Sequence, residues 1–246
     1  MKNRVKPFII AHRGNSGEAP ENTVAAVDSA LKLGVDFVEI DVRLSQDGIP
    51  VVIHDPSPKR SAGTLHSPLI HKLPFVEIRK IDVGSKFGKE FTGEKIPRLS
   101  ELLHLKWNST GLMIEIKEAP QSPADIINAV FAEINAIHTT LPQLIIGSFS
   151  LELFNEAKRR LHELKQEATV IGIVEKRQLV EPFVEAGAKR IALWHKLIKP
   201  DLAVYLNEQD IEMWTFTVDD MELAHTLVSM GVRGIISSVP RRILLK

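Results

Sequence analysis

Eight short runs of apolar, largely β-branched residues recur along the chain. Each is separated from the next by a longer stretch whose apolar positions follow a helical period. The runs are FIIA (8–11), FVEIDV (37–42), LMIEIK (112–117), LIIGSF (144–149), TVIGIV (169–174), RIALW (190–194), EMWTFTV (212–218) and GIISS (234–238). Short, nearly continuous apolar runs mark strands buried on both faces, as in a parallel sheet. The intervening segments, among them NTVAAVDSALKLG, SPADIINAVFAEINAI and SLELFNEAKRRLHEL, read as amphipathic helices. Asn22, Ser122, Ser150 and Asp219 stand where N-caps belong, and Gly34, Gly187 and Gly231 where helices end. Eight strand–helix units in about 250 residues predict an α/β fold of the TIM (β/α)8 barrel type. A doubly wound open sheet would favour a glycine-rich phosphate loop after the first strand, and the sequence has none there.

One apolar run breaks the repeat. PVVIHD (50–55) follows FVEIDV after only RLSQDGI, far too short for the crossover that a parallel neighbour requires. Asp47-Gly48 is a strong tight-turn pair, so a hairpin is predicted, and it would carry His54 back beside Glu39 and Asp41. The stretch from about 56 to 97 is rich in Pro, Gly, Ser and Lys and has no long periodic helix. It is expected to be a small insertion after the second barrel strand, covering the barrel mouth of a single domain that spans 1–246.

Composition changes this picture mainly by exclusion. The 246 residues are 44% hydrophobic and 25% charged, with 31 Lys plus Arg balanced by 31 Asp plus Glu. A net charge of zero supplies no field for nucleic acid or an anionic membrane surface, so any anion must be recognised locally. Cysteine is absent, which rules out disulfides and thiolate metal sites and suits a cytoplasmic setting. The first apolar run ends at Ala11, before His12 and Arg13, too short for a signal-peptide core, and no run approaches a bilayer span. Nothing in the sequence specifies an oligomeric state.

The polar residues inside the apolar runs carry the chemistry. Barrel enzymes place their sites at the carboxyl ends of the strands. His12 and Arg13 close the first strand, and Glu39 and Asp41 share one face of the second at i and i+2. Glu115 and Lys117 repeat that spacing on the third, and Trp214 lies late in the seventh. Three carboxylates converging on one mouth repel one another unless a cation neutralises them, and a hard divalent ion with oxygen ligands, Mg2+ or Ca2+, is the natural candidate. Arg13 and Lys117 suit phosphate oxygens, while His12 and His54 suit proton transfer near neutral pH. Together the set predicts phosphodiester cleavage without a covalent enzyme intermediate.

The stretch AHRGNSGEAPENTVAAVDSALKLGVDFVEIDVRLSQDGIPVVIHDP closely resembles the amino-terminal signature of the glycerophosphodiester phosphodiesterases, and the similarity continues through GEKIPRLSELL, IEIK, SFS and WTFTV. The resemblance implies a barrel, a divalent metal, and hydrolysis of small-molecule glycerophosphodiesters, the deacylated phospholipids, to glycerol 3-phosphate and an alcohol. It implies His12 and His54 as the acid/base pair, Glu39, Asp41 and Glu115 as metal ligands, Arg13 and Lys117 as phosphate contacts, and Trp214 near the glycerol. Pro20-Glu21-Asn22-Thr23 would shape the first loop and cap the first helix. One departure stands out: the family usually has Thr-Asp-x-Pro near the carboxyl terminus, where this chain has Ser237-Ser238-Val239-Pro240.

Blander roles compete for some of these residues. The histidines at 66, 71, 104, 138, 162, 195 and 225 read as structural, and Asp55 as a cap for the turn at Pro56. Trp214 is equally at home in a barrel core. Two other functions use the same site. A lysophospholipase D-type enzyme would need an apolar groove in the insertion, with Leu65, Leu69, Ile70, Leu73 and Phe75 as contributors. A phosphate-ester binding module without catalysis is suggested only by Ser237-Ser238.

Overall fold

The structure, a computed structural model, describes residues 6–137 and 141–244. Nine strands are present among them: β1 (Phe8–Ala11), β2 (Phe37–Leu44), β3 (Pro50–Val52), β4 (Gly111–Ile116), β5 (Leu144–Ser148), β6 (Thr169–Val174), β7 (Arg190–Trp194), β8 (Glu212–Phe216) and β9 (Gly234–Ser237). Eight of them pair in parallel in the order β1, β9, β8, β7, β6, β5, β4, β2, and β1 pairs with β2 to close the ring. Helices fill the connections, so the chain is a TIM barrel, as the eight apolar runs predict. No helix among the described residues is long and apolar enough to cross a membrane. Of the histidines read as structural, His138 lies outside the described residues.

The ninth strand is the hairpin return. β3 lies antiparallel on β2 with Val52 opposite Val42 and Pro50 opposite Leu44. Its turn uses Gly48 at φ +74°, a left-handed conformation that glycine adopts without a Cβ penalty. The pairing extends past the strand through Ile53 N–H donating to the Asp41 carbonyl at 2.9 Å, which sets His54 beside Asp41.

Two N-caps lie one residue further on than the sequence suggests. The helix Val24–Leu33 is capped by Thr23, whose hydroxyl accepts from Ala26 N–H, and the helix Met221–Ser229 by Asp220, which accepts from Leu223 N–H. Asn22 and Asp219 have other partners, and both serve the site described below.

The barrel interior is filled from its amino-terminal end by Ile10, Phe37, Met113, Ile145, Ile171, Trp214 and Ile236. Because side chains alternate across a strand, the face of β2 that sends Phe37 into this floor sends Glu39 and Asp41 in above it. On β4 the same alternation takes Met113, then Glu115, with Asp41 and Glu115 in register.

Trp214 corrects an expectation. It is fully buried in the floor, with Phe8 and Phe37 against its ring and the Arg190 guanidinium 4.7 Å from the ring centre. Its indole N–H donates to Glu212 Oε1 at 2.8 Å. A Cβ on Gly234 would lie 2.5 Å from the indole, so that glycine makes room for it. Trp214 stands third in the run 212–218, early on the strand, which puts it at the end of the barrel opposite the mouth. Trp214→Ala is expected to cost about 3–5 kcal/mol of stability in urea denaturation while leaving KM unchanged.

The insertion between β3 and β4 has a small core of its own. Ile70, Ile78, Val83 and Ile96 are buried against Val51 and Ile53 of the hairpin, with Leu73 and Phe75 packed on them. Ile70, Leu73 and Phe75 are therefore committed to this core and do not form an apolar groove, whereas Leu65 and Leu69 are exposed.

Candidate active site

His12 and Arg13 follow β1 directly, where the chain must turn away from the barrel axis. Arg13 makes this turn at φ +57°, a region that costs a non-glycine residue about 1–2 kcal/mol. The compensation is visible: its backbone N–H donates to Glu39 Oε2 at 2.8 Å, and its Nε lies 3.2 Å from Asp41 Oδ2. Gly14 follows at φ +80°, where a Cβ would sit 2.6 Å from the Ala26 backbone. The loop is thus pressed onto the helix Val24–Leu33, holding the His12-Arg13 pair over the carboxylates.

Glu39, Asp41 and Glu115 are all buried, and a ligand oxygen from each lies within 4.8 Å of the others. Asp41 is the best supported of the three. Asn22 donates from Nδ2 to its Oδ2 at 2.8 Å and accepts its backbone N–H at 3.0 Å, and Lys117 Nζ lies 2.9 Å from Oδ1. Lys117 also bonds Glu115. Burial works against the charge on Asp41, yet Lys117 and Arg13 together hold its carboxyl well below the usual range. Burial, followed by the Asp41 charge, pushes Glu115 up to about 7, and burial with both neighbouring carboxylates raises Glu39 well above its ordinary value.

This donor set fits a divalent cation. Glu39 Oε1 is buried without a hydrogen-bond partner, and once all three carboxyls are ionised they outnumber Arg13 and Lys117 by one charge, which a cation would balance. All three donors are hard oxygens of the kind Mg2+ and Ca2+ take.

The two imidazoles beside this cluster have different partners. His54 places Nδ1 2.7 Å from Asp55 Oδ1, and Asp55 Oδ2 accepts from Arg60 Nε at 2.6 Å. Asp55 is therefore a partner of His54 rather than a turn cap. His12 places Nδ1 3.1 Å from Ser238 Oγ, a neutral group. Burial, then the Arg13 guanidinium, push the His12 imidazole down to about 3. His54 is also lowered by burial, with Asp41 and Asp55 acting in the opposite direction.

The carboxyl-terminal departure acquires a structural meaning here. Asp219, after β8, accepts from Ser237 Oγ at 2.9 Å and from Ser238 N–H at 2.8 Å. A carboxylate from another loop thus holds the segment, and Ser238 reaches His12.

Seven of the eight predicted residues converge on this mouth; Trp214 is the exception. On the same face of β8, two residues nearer the mouth, Phe216 packs edge-on against Phe149 at 5.8 Å, and Phe149 lies 5.5 Å from Lys117 Nζ. Residues missed at the sequence level are Asn22, Asp55, Asp219, Ser238 and Glu21. The last bridges Arg13 at 3.0 Å and Arg60 at 2.6 Å.

The pattern described as the Glycerophosphoryl diester phosphodiesterase family matches residues 12–241. The chain belongs to this family. Membership makes it an enzyme, a phosphodiesterase hydrolase. A glycerophosphodiester phosphodiesterase of Caldanaerobacter subterraneus is 34% identical over 98% of this chain and 97% of its own length. A phosphodiesterase of Oleispira antarctica, solved in complex with the product sn-glycerol-3-phosphate, superposes with a TM-score of 0.88 at 29% identity, covering 97% of this chain and 95% of that one. The glycerophosphodiester phosphodiesterase of Thermotoga maritima gives a TM-score of 0.74 at 25% identity, with 98% of both chains covered.

Proposed function

We propose that this family member hydrolyses glycerophosphodiesters to glycerol 3-phosphate and an alcohol, with His12 and His54 as the acid/base pair. The observation that carries the reading is the juxtaposition of two differently partnered imidazoles with a buried carboxylate triad and two cations in one mouth. The Oleispira relative with its bound glycerol phosphate supports the substrate class. Glu39, Asp41 and Glu115 would hold a divalent cation, Mg2+ or Ca2+, which supplies electrostatic stabilisation for charge on the phosphate oxygens.

Arg13 and Lys117 bind the equatorial phosphate oxygens, Arg13 through its fork and Lys117 as a point charge. Asp41, which touches both, positions them. His12 takes the proton of the entering hydroxyl as its oxygen bonds to phosphorus. Burial and the Arg13 charge keep its imidazole unprotonated, and its Nδ1 faces the neutral Ser238 hydroxyl. His54 gives a proton to the alcohol oxygen as the P–O bond breaks; the Asp55 carboxylate at Nδ1 stabilises its protonated form. The segment 56–97 caps the mouth, and the absence of cysteine accords with a cytoplasmic setting.

Glycerophosphocholine, glycerophosphoglycerol and related diesters, incubated with added Mg2+ or Ca2+, should release glycerol 3-phosphate. No product from any of them with either ion would overturn the proposal. Two routes to that product differ in the attacking oxygen: water attacks phosphorus directly, or the neighbouring glycerol hydroxyl attacks first and leaves a trappable cyclic phosphate. Solvent 18O incorporation, read together with trapping of the cyclic product, distinguishes them.

A further inference from the structure

The geometry points to a binding site for the leaving alcohol in the cavity between the first loop and the insertion, and to an alcohol that carries its own anionic group. This rests on the phosphodiesterase reading and extends it to the substrate's other end. The cavity has a volume of about 210 Å³, and its walls include Ser16, Glu21, Arg60, Val83, Lys86 and Phe87. Two of its wall residues contact the catalytic centre. Glu21 bonds Arg13 and Ser16 Oγ donates to the His12 carbonyl, so a diester held by Arg13 directs its second ester arm along this wall. The volume is below the roughly 300 Å³ at which drug-sized pockets begin, and suits a polar head group rather than an acyl chain.

The polarity of the walls decides the class of alcohol. Glu21 is the carboxylate among these wall residues, and both its oxygens are engaged. Oε1 accepts from Arg13 Nη1 and Arg60 Nη2, and Oε2 from Arg60 Nη1. The charge of Arg60 is shared between two carboxylates, since its Nε also donates to Asp55. Lys86 is the wall cation with no ion pair among the described residues: its Nζ donates to the Arg60 carbonyl at 2.6 Å and faces no carboxylate. Its stem is seated over Gly63, whose φ of +70° and missing Cβ leave the space that Lys86 Cδ occupies. An ammonium without a carboxylate partner, beside a Glu21 already held by two guanidinium groups, attracts an anion and repels a quaternary ammonium. Phe87 alone supplies no aromatic cage for a choline group.

The test compares kcat/KM of the full chain, at saturating free divalent ion, for three diesters of glycerol 3-phosphate. Their alcohols are glycerol bearing a second phosphate, glycerol, and choline. The expected order is anionic, then neutral, then cationic. Lys86→Glu should reduce the ratio of the anionic to the choline substrate by about tenfold, as reversing a partly exposed charge implies, while Lys86→Arg should preserve it. Equal turnover of the three by the unaltered protein, or a ratio untouched by Lys86→Glu, would overturn the assignment while leaving the phosphodiesterase reading intact. Turnover of none of the three would overturn both.

Discussion

Replacing His12 or His54 with alanine is expected to lower kcat by about 100- to 10,000-fold, the range that a positioned proton donor or acceptor contributes. The two losses should differ in their dependence on the leaving group. If His54 protonates the departing alcohol, a diester of glycerol 3-phosphate with p-nitrophenol, whose anion leaves without a proton, should restore most of the activity of His54→Ala. The same substrate should do little for His12→Ala, because the entering hydroxyl still needs a base. The asymmetry follows from the partners of the two rings: a carboxylate 2.7 Å from Nδ1 of His54 and a hydroxyl 3.1 Å from Nδ1 of His12. Asp55→Asn should reproduce a milder form of the His54 defect, with the same rescue. Rescue of His12→Ala and not of His54→Ala would reverse the assignment. Unchanged kcat in both variants would remove the histidines from the chemistry altogether.

The parts of the molecule that repeat were the most legible in the sequence. Each barrel strand is buried on both faces, so its apolar run stands out against the helices around it. The hairpin was legible because Asp47-Gly48 leaves too little chain for any other connection. Glu39, Asp41 and Glu115 were visible for a related reason: a carboxylate inside such a run has no low-cost structural explanation. What escaped detection depends on height along the barrel axis and on competition for a side chain. Trp214 and Phe216 share a strand face, and it is the tertiary contacts of Trp214, with Phe8, Phe37 and Gly234 at the start of β9, that place it in the floor. Asn22 and Asp219 sit one residue before the true caps. The same side-chain chemistry that caps a helix also serves Asp41 and the Ser237-Ser238 segment, and sequence alone does not choose between the two.

In the metal-free protein, stability is expected to fall as pH rises from about 6.5 to about 8, above the range in which the lowered imidazole of His12 opposes the effect, and saturating Mg2+ or Ca2+ to reverse the fall. Burial first, and then the Asp41 charge, push Glu115 up to about 7 from an ordinary value of 4.5, and Glu39 is raised as well. Between those pH values the folded chain binds more protons than the unfolded one. The stability these carboxyls contribute is therefore fully present below the unfolded value and is lost as pH passes through the folded one. A cation that binds only the folded, deprotonated triad adds about 2.7 kcal/mol at a hundredfold excess over Kd, or several degrees in melting temperature for a chain of this size. Glu115→Gln should flatten the pH profile of the metal-free protein and abolish the metal-induced rise. Asp41→Asn should also abolish that rise, but it should destabilise the metal-free protein, by about 3–5 kcal/mol, because Arg13 and Lys117 lose the charge that compensates their burial. Loss of the metal-induced rise in both variants, with a large destabilisation of the metal-free protein only in Asp41→Asn, read by thermal melts with and without chelator, would separate a cation site from an ordinary buried ion pair. Activity indifferent to chelator, with a flat metal-free profile, would show that the three carboxylates serve no cation.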